Sequence, residues 1–174
     1  MGKRSNFKRV ARDFYPTPYH AVVPLLPFLE KGQKYAEPCA GDGRLIEHLK
    51  SVKAECTLAS DIEPNAEGII QMDAFDQFEA DMIITNPPWD RKILHPMIEH
   101  FTSIAPTWLL FDADWMHTKQ SEPYMAWCSK IVSIGRVRWF DNQTGKDNAV
   151  WYLFDRNANG TTFHGRTTNQ SKLL

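Results

Sequence analysis

The sequence lacks the features that mark membrane and secreted proteins. Its uninterrupted apolar stretches are far shorter than the roughly 20 residues that a membrane span needs. The N-terminus is polar and basic with no apolar segment behind it, so we expect no signal peptide. The three cysteines, Cys39, Cys56 and Cys128, have neither metal-binding nor redox spacing. We therefore expect a reduced, cytoplasmic setting.

Linkers, internal repeats and low-complexity segments are also missing. A chain of 174 residues with 43% apolar residues can bury one good core. We expect a basic arm over residues 1–13, a single domain over 14–156 and a polar tail over 157–174.

Strand-like and helix-like segments alternate, which predicts an α/β fold with a mostly parallel sheet and helices on both faces. We expect helices near 19–29, 44–52, 92–102 and 121–129, the first opened by Thr17 as N-cap and Pro18. Strands are predicted near 34–38, 55–60, 69–72, 81–85, 108–111, 131–140 and 149–154. The last two flank a polar loop at 141–148 and form an antiparallel hairpin.

The most informative segment is Asn86-Pro87-Pro88-Trp89, which follows the apolar run 82–85. An exocyclic amine on a nucleobase is a poor nucleophile because its lone pair is delocalised into the ring. The Asn86 side-chain oxygen and the Pro87 carbonyl can accept the two amine hydrogens and free that lone pair. Trp89 can stack on the ring. The alternative is a turn that closes a strand, with Trp89 as a core aromatic.

A glycine-rich turn lies upstream, between a short apolar stretch and a helical pattern. In the segment from Glu37 to Gly43, glycines allow a ligand to approach the backbone closely at a helix N-terminus. Asp61 follows Gly43 by 18 residues, where nucleotide-binding α/β folds place the carboxylate that binds ribose hydroxyls. Asp73 ends the next apolar run and can read an adenine amine. Each feature alone is ambiguous, but their order is specific.

In this order, the motifs resemble those of class I S-adenosylmethionine-dependent methyltransferases, in particular N6-adenine DNA methyltransferases of the small bacteriophage type. The resemblance implies a Rossmann-like sheet, S-adenosylmethionine as cofactor, and a bacterial or phage-infected host cell. The motifs that carry it are an N-terminal cap (14–18), the glycine loop (37–43), a ribose motif (61–62), an adenine motif (73–75) and the acceptor loop (86–89). The cofactor contacts that it implies are Tyr15, Thr17, Glu37, Cys39, Ala40, Gly41, Gly43, Asp61, Ile62, Asp73, Ala74, Phe75 and Asn86. No separate target-recognition domain fits between or after these motifs, so we do not expect strict sequence specificity.

The implied reaction is direct in-line transfer of a methyl group to the N6 amine of adenine in DNA, with no metal and no covalent enzyme intermediate. The implied catalytic residues are Asn86, Pro87, Pro88 and Trp89. RNA adenine and the amide of a protein glutamine share the same nitrogen chemistry, and an inactive methyltransferase-like binding protein is a further alternative. Trp89 in place of a tyrosine favours a nucleobase over glutamine. Cys39 lies in the glycine loop, so it does not match the nucleophile of cytosine C5 methyltransferases.

The net charge of −1 conceals an uneven distribution. Residues 37–90 hold twelve acidic and three basic side chains, which suits a ligand with a sulfonium and an ammonium. The N-terminal arm and the segment around 136–146 are basic and can track phosphates. The predicted nucleic-acid contacts are Lys8, Arg9, Arg12, Arg136, Arg138 and Lys146. A solvated tail and a charge-protected edge strand are the alternatives.

Asp112 and Trp115 follow the predicted strand 108–111, at the carboxyl end where such sheets bind ligands. We expect one of them to line the acceptor pocket. Asp112 and Asp114 also raise the possibility of a metal site, but no third ligand has matching spacing.

Overall fold

The computed structural model describes residues 14–140 and 147–166. Four predicted nucleic-acid contacts, Lys8, Arg9, Arg12 and Lys146, lie outside these ranges, as does most of the predicted polar loop. No helix within the described ranges is long and apolar enough to cross a membrane.

The described residues contain an eight-stranded mixed sheet. Its order is β3-β2-β1-β4-β5-β7-β6-β8, and all neighbours are parallel except β7, which is antiparallel to both β5 and β6. The predicted mostly parallel sheet with an antiparallel hairpin is confirmed. The strands are β1 Lys34–Glu37, β2 Glu55–Asp61, β3 Ile70–Gln71, β4 Ile83–Thr85, β5 Thr107–Asp112, β6 Cys128–Val137, β7 Asp147–Phe154 and β8 Thr162–His164.

Helices cover both faces of the sheet. They are α1 Tyr19–Val22, α2 Arg44–Leu49, α3 Arg91–Ile104 and α4 Glu122–Met125, and single 3-10 turns occur at Leu26–Phe28, Lys50–Val52, Ala113–His117 and Lys119–Ser121. Alternation along β5 fills a core on each side. Trp108 and Leu110 pack with α1 and α2, whereas Leu109 and Phe111 pack with α3.

Three elements differ from the sequence-based expectation. The first helix is short and gives way to a 3-10 turn, because Pro24 and Pro27 interrupt it. Its N-cap is Pro18 and not Thr17, whose hydroxyl is bonded elsewhere. The predicted helix 121–129 ends at Met125, since Cys128 is buried and begins β6. In addition, β8 forms within the expected polar tail.

A bulge in β6 sets the direction of the predicted arginines. The register with β7 shifts between Ser133 and Gly135, and Gly135 has a φ of +84°. Beyond the bulge, Val137 and Trp139 are buried, whereas Arg136 and Arg138 are exposed. Arg136 and Arg138 therefore lie on one exposed face, and Val137 and Trp139 lie on the opposite, buried face.

We expect the hydrogen bond from Trp151 of β7 to stabilise the packing of α1 on the sheet. Its indole Nε1 donates to the Ala21 carbonyl at 2.8 Å, and both residues are fully buried. Trp151→Phe should lower the free energy of unfolding, because loss of a buried hydrogen-bond partner costs about 1–3 kcal/mol in addition to the lost volume. Urea unfolding of Trp108→Phe, a similar change in the same core, provides the control. Equal losses in both variants would mean that volume alone matters.

Candidate active site

A cleft of about 1130 Å³ opens at the carboxyl ends of β1, β2 and β4. It brings together residues predicted from five separate motifs. The predicted residues that line it are Tyr15, Thr17, Glu37, Cys39, Ala40, Gly41, Asp61, Ile62, Asp73, Ala74, Phe75, Asn86 and Pro88. Three predicted residues, Gly43, Pro87 and Trp89, lie close by but do not line it. Gly43 instead is the N-cap of α2.

The glycine loop is bonded to the end of β2. Gly41 has a φ of +55°, and its N–H donates to Asp61 Oδ2 at 2.8 Å. Asp61 Oδ1 accepts the Glu63 N–H, also at 2.8 Å. Since an ionised carboxylate has about four acceptor sites, Asp61 keeps capacity for further donors from a ligand.

The carboxyl group of Glu37 is buried in the cleft and has an oxygen without a hydrogen-bond partner among the described residues. Its side chain is 2% exposed, and Oε2 has no hydrogen-bond partner within the described ranges. Burial, and then the nearby carboxylates of Asp42 and Asp61, raise the pKa of Glu37 well above its ordinary value. A buried acid without a partner favours either a proton or a cationic ligand.

The charged side chains that line the cleft, among the residues that the structure describes, are acidic. They are Glu37, Asp42, Asp61, Glu63, Asp73 and Asp90, and Asp42 is paired with Arg44 at 3.1 Å. This arrangement attracts a cation and opposes a ligand that carries phosphates.

Apolar side chains are exposed around the adenine motif, residues 73–75. Ile62 and Phe75 are 59% and 41% exposed, although both are large hydrophobic residues in the cleft wall. Between them, Asp73 Oδ1 accepts the Phe75 N–H at 2.9 Å, which fixes the turn. Exposed apolar surface beside a carboxylate is suited to a flat heterocycle with an amine.

Two hydrogen bonds to the N-terminal segment hold the Asn86 amide in one orientation. Its Nδ2 donates to the Tyr15 carbonyl at 3.1 Å and to Thr17 Oγ1 at 3.2 Å. The Tyr15 carbonyl can only accept, so the amide nitrogen must face it. Thr17 is itself buried, and its carbonyl accepts a hydrogen bond from His48 of α2 at 3.1 Å. The acceptor loop, the N-terminal segment and α2 therefore form one unit.

Trp89 packs beside this unit and against both cores. Its indole Nε1 donates to the Leu110 carbonyl at 3.2 Å and to Asn86 Oδ1 at 3.4 Å. Its ring meets Trp139 edge to face, with centroids 5.5 Å apart. Stacking of Trp89 on an acceptor ring stays a prediction.

The expectation that Trp115 lines the acceptor pocket is wrong. Trp115 is 1% exposed within the core on the α3 side, where its Nε1 donates to His95 Nε2 at 3.0 Å. Asp112 does not line the cleft either, and its carboxylate caps the following 3-10 turn by accepting the Asp114 N–H. The described parts of the chain contain no group of three or more side chains that could hold a metal ion.

Sequence reasoning missed the wall of the cleft that α3 provides. Ile93 and Met97 line it, and Ile93 is 40% exposed. Their spacing of four residues, directly after the acceptor loop, puts both on one helix face and was a usable signal. Asp90 also lines the cleft and caps α3 by accepting the Lys92 N–H.

No protein-family model matches the sequence, and no curated protein matches it. Solved structures do match. A candidate RNA methyltransferase from Pyrococcus horikoshii has a TM-score of 0.61 at 15% identity, over 88% of this chain and 92% of that one. A candidate class I S-adenosylmethionine-dependent methyltransferase from Listeria monocytogenes has a TM-score of 0.60 at 12% identity, over 95% and 70% of the two chains.

A third match is the methyltransferase subunit of a type I restriction-modification system from Streptococcus thermophilus. Its TM-score is 0.59 at 10% identity, over 87% of this chain and 47% of that one. This chain therefore spans about half of that subunit. Together with the strand order, these matches show that the chain has the fold of class I S-adenosylmethionine-dependent methyltransferases.

We expect Gly41→Ala to impair ligand binding in the cleft. A Cβ at position 41 would lie 3.0 Å from Phe14 Cε2, and the positive φ adds strain on the order of 1–2 kcal/mol. Gly68→Ala is the matched control, because Gly68 has a φ of +83° but nothing lies within 4 Å of its Cβ position. Calorimetric titration with S-adenosylhomocysteine should show weaker binding for Gly41→Ala only. Equal affinities would contradict close approach at this loop.

Glu37 should make stability fall as pH rises. The folded protein keeps a proton on Glu37 that the unfolded chain releases above the ordinary carboxyl pKa of 4.5. The unfolding free energy therefore decreases from pH 4.5 up to the raised pKa of Glu37. Urea unfolding of Glu37→Gln should lack this part of the pH dependence, whereas Glu67→Gln, an exposed control, should retain it. The same slope in wild type and Glu37→Gln would refute the role of Glu37.

Proposed function

We propose that the protein transfers a methyl group from S-adenosylmethionine to the N6 amine of adenine in DNA. The observation that carries the proposal is the fixed amide of Asn86. Its nitrogen is held by Tyr15 and Thr17, so its oxygen keeps acceptor capacity at the wall of an acidic cleft. Such an oxygen accepts a hydrogen bond from an N–H donor such as an amine.

The residues present fit the cofactor. S-adenosylmethionine, when bound, supplies a methyl group activated by a sulfonium, and it also carries an ammonium. The unpartnered Oε2 of Glu37 and the six acidic residues that line the cleft suit these two positive charges. By motif, Tyr15, Thr17 and Glu37 would hold the methionine end, Asp61 and Ile62 would hold the ribose, and Asp73, Ala74 and Phe75 would hold the adenine.

The remaining space suits an acceptor base. Pockets for small ligands measure about 300–1000 Å³, and this cleft of about 1130 Å³ exceeds that range. The part between Asn86 and α3, lined by Pro88, Ile93 and Met97, is the proposed acceptor side. There Asn86 Oδ1 would accept one hydrogen of the amine. The Pro87 carbonyl, in the same loop but outside the cleft lining, is the proposed acceptor of the other hydrogen, and both bonds would free the lone pair. The prolines fix the loop before the base arrives.

The proposed nucleic-acid contacts within the described ranges are Arg136 and Arg138. Both are exposed near the carboxyl end of β6, and β6 runs parallel to β5, whose carboxyl end lies on the edge of the sheet that holds the cleft. Their charges can track phosphates while the acidic cleft takes the cofactor. The base must be rotated out of a duplex or taken from a single strand to reach Asn86.

Methylation of RNA adenine is the second candidate. It is favoured by the similarity to the Pyrococcus horikoshii structure, which was described as an RNA methyltransferase candidate. The similarity to the type I restriction-modification subunit favours DNA. The cleft chemistry is the same for both, since the target amine is the same.

We expect Asn86→Ala to lose methyl transfer and to keep cofactor binding. Removal of one preorganised hydrogen-bonding group from an active site costs on the order of 10²–10³ in kcat. Transfer is measured with labelled cofactor and an adenine-containing DNA oligonucleotide, and binding is measured by calorimetry. Methyl transfer by Asn86→Ala at the wild-type rate would refute the proposal.

A further inference from the structure

The indole N–H of Trp89 lies between two acceptors. It donates to the Leu110 carbonyl at 3.2 Å and to Asn86 Oδ1 at 3.4 Å. Leu110 belongs to β5, the strand beside the one that carries the acceptor loop. The indole N–H of Trp89 therefore links the Leu110 carbonyl of β5 to the side-chain amide of Asn86.

The indole is also fixed by packing. It contacts hydrophobic residues of both cores, and Trp139 packs against it with an interplanar angle of 82°. Trp139 is itself 5% exposed and donates its Nε1 to Asp147 Oδ2 at 3.0 Å. The segment that follows β6 thus contacts Trp89 through the Trp139 ring, in addition to the bond from Trp89 to β5.

Three hydrogen bonds then define the amide plane of Asn86. Tyr15 and Thr17 hold the nitrogen, and Trp89 directs the oxygen. A carbonyl oxygen has two lone pairs, so Oδ1 keeps one for an incoming amine. A phenylalanine at position 89 would retain a ring but would have no N–H for Oδ1.

We propose that Trp89 is a positioning residue, whose indole N–H sets the direction of the Asn86 oxygen for the acceptor amine. This inference rests on the proposed function, because it takes the Asn86 oxygen to be the group that binds the acceptor amine. It differs from a stacking role for Trp89. The ring does not line the cleft, whereas Asn86 and Pro88 do.

The first test compares steady-state kinetics of Trp89→Phe with wild type. We expect kcat for DNA methylation to fall by about 10-fold to 100-fold, because small errors of alignment are costly, with KM for DNA unchanged. In the Asn86→Ala background, Trp89→Phe should cause no further loss, since it acts through the amide. The control for an indole-to-phenyl change is Trp127→Phe, because Trp127 is distant from Trp89 in the sequence and its ring contacts Arg156. A raised KM with unchanged kcat would overturn positioning in favour of stacking.

The second test does not depend on activity. Nuclear magnetic resonance of the Asn86 side-chain NH2 group reports its orientation and its exchange with water. Trp89→Phe should shift these signals and speed their exchange, whereas Trp127→Phe should not. Unchanged Asn86 signals in Trp89→Phe would overturn the inference, even if the protein proved to methylate another substrate. A wild-type protein that methylates nothing would refute the proposed function, while this experiment still tests the contact.

Discussion

The hydrogen bonds from Asn86 Nδ2 to Tyr15 and Thr17 are the constraint on which the site depends. They connect the acceptor loop to residues 71 and 69 positions earlier in the chain. They anchor the N-terminal segment to the carboxyl end of β4, and the hydrogen bond between His48 and the Thr17 carbonyl anchors the same segment to α2. The same bonds determine which way the Asn86 oxygen points.

The sheet separates two chemical tasks along one edge. The ends of β1 and β2 supply Glu37 and Asp61, and the turn after β3 supplies Asp73, so this half of the cleft is acidic. The end of β4 supplies Asn86, with aromatic residues of the β6 and β7 hairpin packed beside it. In the proposed function, a cationic cofactor would bind the acidic half and a neutral amine would bind beside Asn86, while the exposed arginines lie near the end of β6, outside the acidic half.

The motifs could be located from the sequence because strand ends and glycine turns are local features. Thus Gly41, Asp61, Asp73 and Asn86 were predicted from spacing, and the cleft brings all four together. Features that depend on contacts across the sheet were not predictable. The partner of Trp89 Nε1 is a carbonyl 21 residues away, and Thr17 bonds to Asn86 and not to its own helix.

Burial was the other quantity that the sequence did not supply. Trp115 and Trp89 both follow a strand end, yet Trp115 is in the core and Trp89 lies beside the cleft. The shortness of α4 has the same origin, because pairing of Cys128 with Phe154 in β7 extends β6 into the predicted helix. Tertiary pairing overrode the local preference at both places.

The most direct test of the central claim is the identity of the methylated product. The protein would be incubated with labelled S-adenosylmethionine and separate pools of duplex DNA, single-stranded DNA, RNA and protein, followed by nucleoside and amino-acid analysis. The account predicts label in N6-methyladenine from DNA. Label only in glutamine, or in no pool while the cofactor is bound, would contradict it, and label only in RNA adenine would leave the chemistry of Asn86 intact but replace the proposed substrate.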